Sequence, residues 1–269
     1  DSLAALAAET EGWAMALPLV AEQLRAQGPA LHHGGSRQDL FDYLAREAVA
    51  GLESAQRAFL LATAPLERLE PSVCGTLAGI RDAGAVLRGL HDRGLFLIPL
   101  GGGAYRHHHL VREFLLARLT EDGCLADGRR AAARALAAHG QPEEAIGQLL
   151  ANGDLEPAAA MMALVAPELV DQGRGAQLAA WAAALPADLL DRAPAIAVCL
   201  GDASRLAARY DEALAWYERA RRGYGSAAEG RSRALAGMAL VYLDTARPAL
   251  AEPHLEEALQ AAEEPRSRA

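Results

Sequence analysis

Between Leu95 and Leu119 the chain reads LFLIPLGGGAYRHHHLVREFLLARL, and few folds can accommodate such a run. Leu95–Leu100 is a short apolar strand candidate closed by Gly101, Gly102 and Gly103. A return strand over Ala104–His109 then gives way to a helix, because Leu110, Val111, Phe114, Leu115 and Leu119 recur at helical spacing. No other stretch of the chain reads as a hairpin, so the rest must be arranged around this small ribbon.

Short helical segments precede it, over Gln38–Leu52, Ala55–Thr63, Ser72–Leu77 and Ala83–His91, the last stopped by Gly94. Phe41, Leu44, Ala48 and Leu52 form one apolar stripe, and Ala55, Phe59 and Leu60 another. Several short helices followed at once by a two-stranded ribbon are the element order of a winged helix. In a DNA-binding version, Asp82–Asp92 would be the recognition helix and Gly101–Gly103 the wing tip. Asp82 and Asp92 stand there among Arg81, Arg88 and Arg93, a mixed charge that suits a protein-facing surface. With a formal net charge of −9, the whole chain offers little of the counterion release that drives DNA affinity. Direct DNA binding is not expected.

Composition removes several chemistries. All 26 basic residues are arginine, so no GxxxxGK[ST] phosphate loop, Schiff-base lysine or lysine general base is possible. Cys74, Cys124 and Cys199 are far apart, lack CxxC spacing, and read as small buried hydrophobes rather than metal ligands. No serine lies in a GxSxG turn and no HExxH occurs. The paired carboxylates Glu143–Glu144, Asp211–Glu212 and Glu256–Glu257 diverge on helices. No catalytic residues and no metal site are assigned. No apolar span of about 20 residues and no basic leader appear, which points to a cytoplasmic, non-membrane chain.

Family motifs run through the sequence in order. Tyr105–Leu115, YRHHHLVREFL, resembles the YRxHxLxxxFL signature of the winged helix in MalT-like LuxR-family regulators, the large ATP-dependent bacterial transcription activators. Tyr43–Glu47 and Phe59–Ala64 resemble their YLxxEV and FLLxTSxL runs. His139–Ile146, with Asn152-Gly153-Asp154 behind it, resembles HGxPEEAIxHALxAGD, and Trp181–Leu190 resembles WLxxLPxxLL. Thr10–Ala14, TEGWA, is similar to the TEGW segment that ends the helical lid of the nucleotide-binding domain. That resemblance implies ATP or ADP in the full-length protein but no cofactor in this stretch. It also implies an ATPase domain and a LuxR-type DNA-binding domain elsewhere in the same polypeptide as partners.

The resemblance singles out three residues. Gly12 and Trp13 correspond to the lid segment where related signalling ATPases carry a GxP motif, with Ala14 here in place of the adenine-touching proline. They would either contact nucleotide or simply pack in a bent helical hairpin. His108 matches the histidine of a methionine-histidine-aspartate motif that meets the diphosphate of ADP, with His107 and His109 on the flanking positions. His108 is therefore a candidate nucleotide sensor, or else it closes the hairpin onto the following helix. Strand alternation predicts His107 and His109 on one face and His108 with Arg106 on the other.

Beyond a polar, glycine-containing break at Glu121–Arg130 the chain reads as all helical, over Ala131–His139, Glu143–Ala151, Pro157–Ala163, Glu168–Gln172, Gln177–Leu185 and Ala187–Leu190. Arg209–Ala220 looks like the second helix of a tetratricopeptide repeat. Arg247–Ala258 echoes it thirty-eight residues later, with Ala251, Leu255 and Ala258 matching Ala213, Tyr217 and Ala220. The expected fold is mainly α: a winged helix with one small β-hairpin, followed by a tetratricopeptide-like superhelix. The expected domains are a lid remnant over 1–35, the winged helix over 36–120, a helical linker bundle over 121–195 and repeats over 196–269. Two functions follow. One is a signal-transduction segment that couples nucleotide state to an inducer or partner bound by the repeats. The other is a stand-alone helical-repeat scaffold for protein–protein interaction.

Overall fold

The computed structural model describes residues 49, 51–94 and 97–263. Gly12, Trp13, the 1–35 lid segment and most of the Gln38–Leu52 helix lie outside the described residues. The chain divides into two compact units, 1–148 and 149–269.

In the first unit, α1 (Ser54–Thr63), α2 (Pro71–Ala78) and α3 (Ala83–Asp92) precede strands β1 (Leu97–Gly101) and β2 (Ala104–His107). The order is that of a winged helix, as the sequence predicts. Phe59, Leu60, Leu69, Val73, Leu87, Leu90, Val111 and Leu115 are all buried in this unit, so the amphipathic stripe of each helix is used. Proline at the first position of α2 suits a residue with no N–H to satisfy. Asp82 is not a free surface charge: its carboxylate caps α3 by accepting from the Ala85 N–H at 2.8 Å.

The strands pair antiparallel, Leu97 with His107 and Pro99 with Tyr105, and the turn carries φ of 84°, 60° and 78° at Gly101, Gly102 and Gly103. Three consecutive positive φ values explain the glycine run, since any side chain there would be strained. Leu69 adds a one-residue third strand by exchanging backbone bonds of 2.7 and 3.1 Å with Tyr105, an addition that the sequence does not reveal.

Helix α4 (His109–Glu121) follows, then α5 (Leu125–Ala138) and α6 (Pro142–Asn152). The expected break at Glu121–Arg130 is shorter than the sequence suggests. Gly128 lies inside α5, where a Cβ would meet Pro65 at 3.7 Å. Cys124 is exposed rather than buried, whereas Cys74 and Cys199 are buried and burial pushes their thiols up to about 12 and about 11.

The second unit contains α7 (Leu155–Asp171), α8 (Gly175–Ala182), α9 (Ala187–Arg192), α10 (Pro194–Leu206), α11 (Tyr210–Tyr224), α12 (Ala228–Asp244) and α13 (Pro248–Glu263). Two expected helices merge into α7 despite Pro167 within it, because Ala158, Met162, Ala166 and Leu169 bury one continuous face. Helices α10–α11 and α12–α13 are two helical pairs. Tyr217 fills their core among Ala197, Val198, Ala213, Ala220, Ala234, Met238 and Val241. Its hydroxyl donates to Asp202 at 2.6 Å, and burial raises its pKa. Leu255, the expected counterpart of Tyr217, is 40% exposed, so the echo holds for Ala251 and Ala258 but not for the large residue between them.

The turn within each pair is built alike. Ala208 (φ 56°) and Ala246 (φ 55°) sit in left-handed conformation, followed by the bonds Arg209 N–H to Ser204 O and Arg247 N–H to Tyr242 O, both 2.8 Å. This is the Schellman ending, which favours glycine. Left-handed alanine costs roughly 1–2 kcal/mol, of which glycine's greater unfolded-state freedom takes back about half. Ala208→Gly and Ala246→Gly should therefore each stabilise the repeat unit by about 0.5–1 kcal/mol. Urea unfolding checks this, and a lowered midpoint in both variants would contradict it.

Candidate functional site

The hairpin and α4 meet at the histidine triplet. Strand β2 ends at His107, whose Nε2 lies 3.2 Å from the Thr63 hydroxyl at the end of α1. That hydroxyl donates back to the Phe59 carbonyl at 2.9 Å, so its oxygen is left to accept. The network thereby assigns the proton of His107 to Nε2. Both residues are buried, and Nδ1 of His107 has no hydrogen-bond partner among the described residues.

Burial, and secondarily the Arg112 guanidinium, lower the His107 pKa to about 4 against the opposing pull of a hydrogen bond to the Thr63 backbone. The imidazole is therefore neutral at pH 7. In the unfolded chain it titrates near 6.5, so between pH 6.5 and 4 the unfolded state binds more protons. The stability this group contributes is fully present above about pH 6.5 and is lost as pH falls toward 4, to the extent of roughly 3 kcal/mol. His107→Gln keeps a donor for Thr63 but cannot titrate. Its unfolding midpoint should fall less steeply over that pH window than that of the parent, and an identical slope would remove His107 from the account.

His108 leaves the pleat. It caps α4 (φ −57°, ψ 134°), its carbonyl accepts from the Arg112 N–H at 2.9 Å, and it is 2% exposed. His109 is already the first helical residue, and the two imidazoles stack with centroids 4.7 Å apart. The expected alternation therefore fails at its last step. His109 does not share a face with His107, because the strand that would enforce alternation has ended and helical geometry takes over.

Other residues of the site escaped the sequence reading. Arg112 donates from Nε to the Ala64 carbonyl and from a terminal nitrogen to Pro65, each at 3.1 Å, closing the carbonyl end of α1. Gln148 adds a bond of 2.8 Å to the same Pro65 oxygen. His139 is 2.7 Å from the Thr76 hydroxyl, and Gln141 donates to Glu70 at 2.8 Å. The HGQP segment is thus bonded to α2 of the winged helix. Arg112 lies within the YRxHxLxxxFL signature and His139 and Gln141 within HGxP, but their partners are 47 to 71 residues away in sequence and carry no local signal. Among the described residues, no cluster of three or more histidine, cysteine or carboxylate side chains could hold a metal ion.

Residues 45–124 match the MalT winged helix domain, and residues 192–264 match a tetratricopeptide repeat model. The chain is MalT-like. It is 30% identical to the HTH-type transcriptional regulator MalT of Yersinia enterocolitica over 222 residues, which is 79% of this chain and 25% of that protein. It is 30% identical to MalT of Vibrio cholerae over 175 residues, 61% of this chain and 19% of that protein. It is also 32% identical to the serine/threonine-protein kinase PknK of Mycobacterium tuberculosis over 194 residues, 69% of this chain and 18% of that protein. The chain thus spans a quarter or less of these curated relatives. The histidine triplet lies inside the MalT winged helix match, and α10 through α13 lie inside the repeat match.

Proposed function

We propose that this MalT-type segment is a regulatory arm, in which the winged helix responds to nucleotide held by an ATP-binding domain elsewhere in the polypeptide and the helical repeats bind an inducer or a protein partner. The supporting observation is the strand-to-helix junction of the MalT winged helix. There His108 caps α4 while Arg112 and Gln148 tie the next helices to the end of α1. The His108 carbonyl is bonded to the Arg112 N–H, Arg112 to the end of α1, and the HGQP segment to α2, so in this reading the junction and that segment share one helical frame.

The segment contributes no catalytic group of its own and makes no direct contact with DNA in this reading. A LuxR-type domain of the same polypeptide would bind DNA. No described helix is long and apolar enough to cross a membrane, which fits a cytoplasmic regulator. The test is inducer-independent transcription by a His108→Ala variant of the full-length protein.

A further inference from the structure

Helix α11 presents two stripes. Ala213, Tyr217 and Ala220 enter the repeat core, while Ala215, Trp216, Arg219, Arg222 and Gly223 line a cleft of about 750 Å³ that Asp191 and Arg192 of α9 complete. That volume is in the range of small-molecule sites, in a cleft that stands largely open to solvent. The cleft exists because residue 223 is glycine: a Cβ there would be 2.6 Å from the Asp191 carbonyl and 3.1 Å from Pro194, forcing α11 off the end of α9.

The cations in it are unequally engaged. Arg219 is fixed, donating to Asp191 at 2.7 Å and to the Ala187 carbonyl at 2.6 Å with its guanidinium 5.7 Å from the centre of the Trp216 ring. Those contacts use part of a five-donor group, leaving capacity for a ligand. Arg192 has looser pairs, 3.3 Å to Asp188 and 3.8 Å to Glu156. Arg222 is 70% exposed and only 4.0 Å from Glu218, a carboxylate that Arg221 already holds with two bonds of 2.8 Å. Three arginines thus line the cleft with Asp191 as its one lining carboxylate, while Asp188, Glu156 and Glu218 pair with Arg192 and Arg222 from the rim and Glu212 accepts from the half-buried Trp216 indole.

We propose that this cleft binds a small organic anion carrying a flat apolar group, with the phosphate or carboxylate held by Arg192, Arg219 and Arg222 and the ring against Trp216. Planar guanidinium forks match such oxyanions, and an indole offers an apolar wall for a ring. The inference concerns binding alone and stands whether or not the regulatory reading holds.

The probe is phenyl phosphate, titrated into the 269-residue chain with Trp13→Phe and Trp181→Phe so that Trp216 is the sole tryptophan, excited apart from the six tyrosines. Saturable quenching is expected, with weaker binding of inorganic phosphate and none of phenol. Arg222→Glu and Arg192→Gln, both at exposed positions, should each weaken binding by about tenfold or more, as loss of a charge-assisted bond does. Calorimetry on the parent chain gives the same affinity without the tryptophan substitutions. Absence of saturable phenyl phosphate binding in both measurements, equal binding of phenol, or affinity unchanged in Arg222→Glu would overturn the assignment.

Discussion

Gly237→Ala should destabilise the repeat unit by about 2 kcal/mol, although alanine is the better helix former by about 1 kcal/mol. The reason is Tyr217. A Cβ at Gly237 would lie 2.4 Å from its ring, and one at Gly201 would lie 2.7 Å from the same ring. The ring cannot retreat, because it is fully buried between these two helices and its hydroxyl is tied to Asp202. Overpacking of this kind typically costs 1–3 kcal/mol, which exceeds the gain in helix propensity. Hydrogen exchange of the α10–α13 amides should therefore speed up in the variant, reporting the loss in the unit where it occurs. In a Tyr217→Leu background the same substitution should cost much less, since the clashing atoms are gone. A Gly237→Ala chain as stable as the parent would mean that the ring has room the structure does not show.

This pair of helical hairpins shows how far sequence carries. Tyr210, Ala213, Tyr217 and Ala220 announce a tetratricopeptide second helix through local spacing alone, and the YRHHHLVREFL run marks both the hairpin and the helix that follows. Features that depend on a distant partner were not legible. Pro167 reads as a helix end until the continuous buried face of α7 is traced. Leu69 extends the hairpin from a loop whose composition carries no strand signal. The candidate site divides the same way. His108 could be named from its motif, but not its stacking on His109, which depends on where the strand stops. Asp191 and Arg192 meet Arg219 and Arg222 only through the packing of α9 on α11, so the anion cleft has no sequence motif.

The regulatory reading makes its largest claim at His108. If this imidazole, 2% exposed in this structure, turns outward to bridge the winged helix to ADP in the resting state, removing it takes away a contact made only in that state and shifts the population toward the active one. A hydrogen bond to a charged group contributes on the order of 1.5–3 kcal/mol, and each 1.4 kcal/mol is tenfold in a two-state ratio. His109→Ala should produce a smaller shift in the same direction, because its ring stacks on His108 and helps set its orientation. His107→Gln should not shift it, since that side chain is bonded to Thr63 inside the domain.

The decisive measurement is reporter transcription by the full-length protein, without inducer, for the parent, His108→Ala, His109→Ala and His107→Gln at matched protein levels. Expected are at least about tenfold activation for His108→Ala, an intermediate value for His109→Ala and the parent's value for His107→Gln. Full inducer dependence in the stably folded His108→Ala protein would contradict it, and so would equal effects from all three substitutions.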